Sequence, residues 1–168
     1  MASKAISIAK EARRQEESCL YTSTSLYLWL RQVRRQNTIF IVAPIILGAL
    51  AGFSILKDAF PDWVTATLAL LASLFPALAN GMKIQTSIEE IAANAAAFKS
   101  LQDRFRQLAE ITAPSGDEDA QIELNQLIDK MDIARANSIT PPERYFEKAR
   151  KKIEAGDYSF SVDRGIKT

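Results

Sequence analysis

The chain has 168 residues, with 21 lysines and arginines against 20 aspartates and glutamates, and a formal net charge of +1. This length is typical of one domain, and the balanced charge argues against a strongly basic nucleic-acid-binding protein. The sequence contains no histidine, which excludes histidine-ligated metal sites and histidine general bases. A single cysteine, Cys19, excludes an internal disulfide and any site built from paired cysteines.

The first segment, residues 1–35, is polar and charge-rich and predicts a helix at the cytoplasmic face or the membrane interface. Its serine- and threonine-rich stretch, Ser18 to Ser25, weakens the prediction because such side chains compete for backbone hydrogen bonds. Two interpretations stay open. The helix either runs continuously into the apolar segment that follows, or it lies at the interface and bends near Asn37.

Two segments without a charged residue follow, at 36–56 and 63–82, with a short connection at 57–62. Each has about 20 residues, which is the length that a helix needs to cross a hydrocarbon layer about 30 Å thick. The pattern predicts a two-span transmembrane hairpin over residues 36–82. The alternative is a soluble helical hairpin buried in a large core.

The charges beside these segments predict the orientation of the hairpin. Arg31, Arg34 and Arg35 precede the first span and Lys83 follows the second, whereas the connection at 57–62 is net negative. The positive-inside rule then places both termini in the cytoplasm.

Beyond the second span, apolar residues recur at intervals of three and four. This period predicts an amphipathic helix from Lys83 to Thr112 that continues the second span as one rod. The apolar stripe resembles a coiled-coil seam and is interpreted as an oligomerisation surface. Its members are Ile84, Ile88, Ile91, Phe98, Phe105 and Leu108.

Two further helices are predicted before the C-terminus. Pro114 ends the preceding helix, and Ser115 with Glu118 has the spacing of a capping box. The run from Thr140 to Glu143 predicts a second helix start, and Gly156 a stop. The fold class is therefore an all-α membrane protein. It comprises the hairpin, a cytoplasmic helical region over 83–156 and a C-terminal tail over 157–168.

Small residues mark one face of each predicted span. Gly48 and Gly52 form a GxxxG pattern, which lets two helix backbones approach closely in a membrane. Ala69, Ser73 and Ala77 repeat at the same interval on the second span. These rows predict either a self-association or gating face, or packing of the two spans against each other.

Three other residues inside the spans suggest function. Pro44 and Pro76 each remove a helical hydrogen bond, so each is either a hinge or a static kink. Asn80 is polar and lies near the cytoplasmic edge, where it either lines a pore mouth or reaches interfacial water. The spans contain no charged residue, which disfavours a proton relay or an ion-coupled transporter.

No signature of catalysis is found. Phosphate loops, metal-ligand spacings and nucleophile elbows are all missing from the sequence, so an enzyme is not expected and no cofactor is implied. One basic cluster, Lys148, Arg150, Lys151 and Lys152, suggests contact with a nucleotide or an anionic lipid. The alternative is the ordinary positive charge near a helix C-terminus.

The layout as a whole resembles a known family. A polar helix ends in Arg31-Gln32-Val33-Arg34-Arg35, two spans follow with a short connection, and a long amphipathic helix begins at Lys83. A closing helix is introduced by Thr140-Pro141-Pro142-Glu143-Arg144-Tyr145. Over nearly the whole chain this arrangement is similar to the SLATT family, bacterial two-span membrane effectors associated with nucleotide-signalling conflict systems.

The resemblance implies a multi-pass protein of the bacterial inner membrane that forms or gates a pore and depolarises the membrane during phage infection. It implies homo-oligomers in the lipid bilayer. The implied trigger is a nucleotide, or a partner protein that synthesises or senses one, and no nucleic acid is expected to bind directly. The alternative is a non-conducting anchor or scaffold whose cytoplasmic helices recruit a partner.

Overall fold

A computed structural model describes residues 2–57, 60–115 and 118–158. All regular structure within these ranges is helical, which confirms the predicted all-α class. There are five α-helices, α1 (Ala2–Lys57), α2 (Asp62–Gly81), α3 (Ile84–Gln107), α4 (Glu118–Ala136) and α5 (Glu143–Glu154). A π-helical turn, Leu108–Thr112, and a short helical segment, Ala113–Ser115, extend α3. Most of the predicted tail, from residue 159 on, lies outside the described residues.

Helix α1 joins the predicted N-terminal helix and the first apolar segment without a break, which agrees with the interpretation of one continuous helix. The serine- and threonine-rich stretch stays helical because its hydroxyls bond to backbone carbonyls of the preceding turn. Thr22 Oγ1 donates to the carbonyl of Ser18 at 3.0 Å, and Ser25 Oγ donates to the carbonyl of Thr22 at 2.8 Å. The hydroxyls are thus satisfied within the helix instead of interrupting it.

The predicted rod from the second span into α3 is wrong. Helix α2 ends at Gly81, and the Met82 amide donates to the carbonyl of Leu78 at 3.0 Å. Lys83 then has a φ of 49°, in the left-handed region that terminates a right-handed helix. Helix α3 begins afresh at Ile84.

The first of two compact units comprises the residues up to Trp29 and those from Glu90 onward, and is called the bundle unit here. The N-terminal part of α1 contacts α4 and α5 in it. Cys19 Sγ lies 3.7 Å from Met131 Sδ, and the rings of Tyr21 and Phe146 have centroids 6.0 Å apart. The sequence predicted separate regions at 1–35 and 83–156, whereas the structure packs most of both into one bundle.

The second compact unit, Leu30–Glu89, contains the C-terminal part of α1, all of α2 and the start of α3, and is called the hairpin unit. Both helices are long and apolar enough to cross a membrane. Within the most apolar 18-residue stretch of each, only 11% of the α1 residues and 0% of the α2 residues are buried. The apolar side chains of these two helices therefore do not form a core within the described part of this chain, which favours membrane spans over a soluble hairpin.

Candidate functional site in the hairpin unit

Two contacts define the sides on which α1 and α2 meet. The rings of Phe40 and Phe75 have centroids 5.8 Å apart, and the hydroxyls of Ser54 and Thr65 share a hydrogen bond of 2.7 Å. The later residue of α1 pairs with the earlier residue of α2, so the helices are antiparallel. Ala51 is buried one turn before Ser54, on the same side of α1.

A cavity of about 510 Å³ lies between the two helices on one side of the hairpin. Ile41 and Ile45 of α1 line it together with Pro76 and Asn80 of α2. Gly48 follows Ile45 by three residues, about one helical turn, so it lies on this side of the hairpin too.

On α2, intervals of three and four residues separate Ala69, Ser73, Pro76 and Asn80, so these residues share one side of the helix. The two rows of small residues therefore lie on the same side of the hairpin, which is called the small-residue side here. It is formed by Gly48, Gly52, Ala69, Ser73 and Asn80, all of them exposed. Ala77 is exposed as well and lies at the edge of this side.

The two glycines do not pack against α2. A Cβ atom added to either Gly48 or Gly52 meets no heavy atom within 4 Å. The buried residues at this depth of α1 are Ala51 and Ser54, on the side that contacts α2. The GxxxG pattern is thus open in the single chain, and packing of the two spans does not account for it.

Large apolar side chains occupy the opposite side of the hairpin, called the large-residue side here. Its exposed members are Ile46, Leu50 and Phe53 of α1, and Leu71, Leu74 and Leu78 of α2. Around Gly48 and Gly52 the exterior of the hairpin therefore differs in side-chain size between its two sides, whereas closer to the cavity the small-residue side also exposes Ile41 and Ile45.

The cavity itself combines an apolar wall with three carboxamides. Asn37, Asn80 and Gln85 contribute the polar groups, and none of its described lining residues is ionisable. The Gln85 amide donates to Glu89 at 3.0 Å. The carboxamides of Asn37 and Asn80 form no hydrogen bond with any described residue. Both prolines, Pro44 and Pro76, line the cavity from within unbroken helices.

No family model, no curated protein and no solved structure matches this chain.

The predicted oligomerisation stripe is buried within one chain. The exposed fractions of its six side chains range from 0% for Phe105 to 8% for Ile88. A second copy cannot reach these side chains in this conformation, so their interpretation as an oligomerisation surface is corrected. The periodicity reflects packing inside the protomer.

Two members of the predicted basic cluster are paired with carboxylates, and the possible anion contact stays a prediction. Arg150 lies 3.6 Å from Glu147 and 4.0 Å from Glu154, and Lys152 Nζ lies 2.7 Å from the Asp157 carboxylate. Lys148 lies over the ring of Tyr145, 5.8 Å from its centroid, and Lys151 is exposed. Lys148, Lys151 and Lys152 are three and four residues apart and share one side of α5, whereas Arg150 lies on another side, and two of the four, Arg150 and Lys152, have carboxylate partners.

A polar groove of about 570 Å³ in the bundle unit was not predicted from the sequence. Tyr27, Lys99, Asp103 and Arg104 are among its lining residues. Lys99 is bonded to Asp103 at 3.0 Å, whereas the Arg104 guanidinium forms no ion pair with a described residue. The sequence signal was weak because Lys99 and Arg104 belong to the ordinary polar face of an amphipathic helix.

Proposed function

We propose that the chain is a two-span membrane effector of the SLATT type, which oligomerises and forms or gates a pore that depolarises the bacterial inner membrane. The observation that carries this proposal is the small-residue side of the hairpin. It is open in the single chain and is formed by both helices, and it contains the GxxxG pattern of Gly48 and Gly52.

The size difference between the two sides suits a hairpin that faces lipid on one side and protein on the other. Helices associate in membranes through small residues, because close backbone approach increases van der Waals contact. Gly48 and Gly52 meet this requirement, and no atom of the described residues lies within 4 Å of a Cβ atom added to either of them. The large-residue side is suited to acyl chains.

Polar groups on the small-residue side support conduction. Ser73 and Asn80 are exposed there, and polar side chains within a membrane face other helices or a water-filled path. The Ser73 hydroxyl donates to the carbonyl of Leu70 at 2.8 Å, which satisfies its proton and leaves its oxygen as an acceptor. Several hairpins arranged around an axis would then place such acceptors along the path.

In this proposal both termini lie in the cytoplasm, and a nucleotide or a partner protein shifts the assembly towards the conducting state. A trigger can do so only by binding that state more tightly than the closed state. The polar groove around Arg104 is the described surface that best suits an anionic trigger, because this guanidinium has no carboxylate partner among the described residues, whereas two members of the cluster on α5 have one.

The test compares substitutions on the two sides of α1 at similar depth. Gly48→Leu and Gly52→Leu fill the open face, whereas Leu50→Phe leaves that face unchanged and replaces one large apolar side chain by another on the large-residue side. We expect both glycine variants to lose depolarisation and toxicity after induced expression, and Leu50→Phe to retain them. Membrane potential is followed with a dye, and a carbonate-resistant membrane pellet confirms insertion of every variant.

Unchanged depolarisation in both glycine variants would refute the packing role of the small-residue side. If inserted wild-type protein leaves the potential steady, even with candidate nucleotides and neighbouring gene products, the hairpin is an anchor for a scaffold. Replacement of the hairpin by an unrelated two-span hairpin would then preserve function.

A further inference from the structure

We propose that the cavity between Pro44 and Pro76 binds one neutral amphiphile, an acyl chain attached to an uncharged hydroxyl or ester head group, as in a monoacylglycerol. The proposal goes beyond the pore and concerns the single hairpin in a bilayer or micelle, before its small-residue side associates with other copies. It is carried by the lining of the cavity, by its unbonded carboxamides and by its volume.

The wall of the cavity is suited to an acyl chain. Seven of the ten lining residues are apolar, namely Phe40, Ile41, Pro44, Ile45, Pro76, Ala79 and Ile84. Its volume of about 510 Å³ lies within the range of about 300–1,000 Å³ that is typical of small-molecule sites. An apolar chain displaces water from such a wall at a gain in free energy.

Proline explains why the helices leave space here. A proline ring inside a helix displaces the preceding turn and prevents the regular hydrogen bond. Pro44 and Pro76 line the same cavity from opposite helices, whereas near the other end of the hairpin Ser54 and Thr65 are in direct contact.

The polar groups of the cavity select for a neutral head group. The carboxamides of Asn37 and Asn80 each offer donors and an acceptor, and neither is bonded to a described residue. A hydroxyl or an ester carbonyl pairs with such groups without leaving a charge uncompensated. A phosphate or a carboxylate finds no cationic side chain among the described lining residues, so burying it here is unfavourable.

The position of these amides agrees with a ligand that enters from the lipid. Asn37 lies at the start of the apolar segment of α1 and Asn80 near the end of α2. Both therefore lie at the proposed boundary between hydrocarbon and water, where an amphiphile places its head group. The apolar residues of the cavity continue from this boundary towards Ile45, which is where its chain would lie.

The experiment uses the full-length protein in phosphatidylcholine nanodiscs with a monoacylglycerol that carries a photoactivatable diazirine in its acyl chain. Labelled residues are identified by mass spectrometry. We expect saturable labelling at Phe40, Ile45 and Ala79, with competition by unlabelled monoacylglycerol and none by palmitate. In the Asn37→Leu, Asn80→Leu double variant, labelling at a fixed probe concentration below saturation should fall about 30-fold, which corresponds to the loss of two hydrogen bonds of about 1 kcal/mol each.

Two control variants separate binding from folding. Leu78→Phe alters the large-residue side at the depth of the cavity and should leave labelling unchanged, and Asn80→Gln retains a carboxamide and should retain labelling. Equal labelling of Leu74 and Leu78, or labelling that the double variant does not reduce, would overturn the proposal. Competition by palmitate as strong as that by monoacylglycerol would also overturn it. The labelling experiment does not measure conduction, so a failure of the amphiphile-binding proposal can be distinguished from a failure of the pore proposal.

Discussion

Cys19 is a buried residue of the bundle unit, and the pKa of its thiol is strongly shifted. It is 1% exposed, and its Sγ contacts Met131 Sδ at 3.7 Å. Burial raises the pKa of the Cys19 thiol from its ordinary value of 9.0 to about 11, against the opposing effect of Arg135. The thiol is therefore a packed apolar group, and its environment does not favour attachment of a lipid.

We expect Cys19 of the folded protein to react very slowly with maleimide at pH 8. The thiolate is the nucleophile, and the raised pKa lowers its population about 100-fold below that of an ordinary cysteine. Labelling is followed by intact mass before and after denaturation, and the absence of any second cysteine makes the readout unambiguous. Rapid stoichiometric labelling of the native protein would contradict the packing.

The same pKa predicts how pH affects stability. Because the folded-state pKa is raised, the unfolded thiol ionises first. The neutral buried thiol contributes fully to the free energy of unfolding below pH 9. This contribution is lost as the pH rises towards 11.

At the level of single residues, the sequence predicted which side chains are apolar and periodic, but not what covers them. Ile91 and Phe105 belong to the predicted stripe and are fully buried, yet the surface that covers them belongs to their own chain. A period of three and four identifies a face of a helix and is the same for intramolecular and intermolecular packing. The GxxxG pattern of Gly48 and Gly52 was equally compatible with packing between copies and with packing of the two spans, and the open space beside both glycines came from the structure.

At the scale of helices, the turn between α2 and α3 depends on one unusual residue. Lys83 has a left-handed backbone, which costs a residue with a side chain about 1–2 kcal/mol relative to glycine. The Lys83 amide donates to the carbonyl of Asn80 at 3.1 Å, so the turn closes the end of α2 directly beside the cavity.

Lys83→Gly should raise the free energy of unfolding of the hairpin unit by up to about 1 kcal/mol, because it relieves this strain. Lys83→Val should lower it by a similar or larger amount, because a β-branched side chain is least compatible with a positive φ. Thermal loss of helical circular dichroism in a mild detergent measures both changes. Equal stability of the two variants would contradict the turn and would support a continuous rod.

The sequence predicted that the described segments are helical. It did not predict the break between α2 and α3 or the cavity between α1 and α2. Gly81 was the only sequence signal for the break, and a glycine within an apolar span does not by itself end a helix. The cavity depends on the register of α1 against α2, since Pro44 and Pro76 line one space only when Phe40 meets Phe75. Two antiparallel apolar helices can adopt many registers, so sequence periodicity alone could not predict this one.

At the scale of the whole molecule, the proposed assembly places the small-residue sides of several hairpins around one axis. Asp62 begins α2 and precedes Ala69 by seven residues, about two turns, so both lie on the same side of the helix. Its side chain is exposed, and it lies at the end of α2 opposite to Asn80. Each copy would therefore contribute one carboxylate to a ring at the outer mouth of the path.

A ring of carboxylates attracts cations and repels anions, so we expect the pore to be cation-selective and Asp62 to set this preference. Asp62→Asn should shift the reversal potential in a potassium chloride gradient towards zero, and Asp62→Lys should reverse its sign. The measurement is a planar-bilayer recording of purified protein.

Asp129→Asn, at an exposed carboxylate on α4, removes the same charge from the bundle unit and should leave the reversal potential unchanged. Loss of the aspartate from the first turn of α2 costs at most about 1 kcal/mol of helix stability, so the Asp62 variants should still insert. An identical reversal potential in wild type, Asp62→Asn and Asp62→Lys would place Asp62 away from the conducting path. The small-residue side would then be a packing surface between copies rather than the wall of the pore.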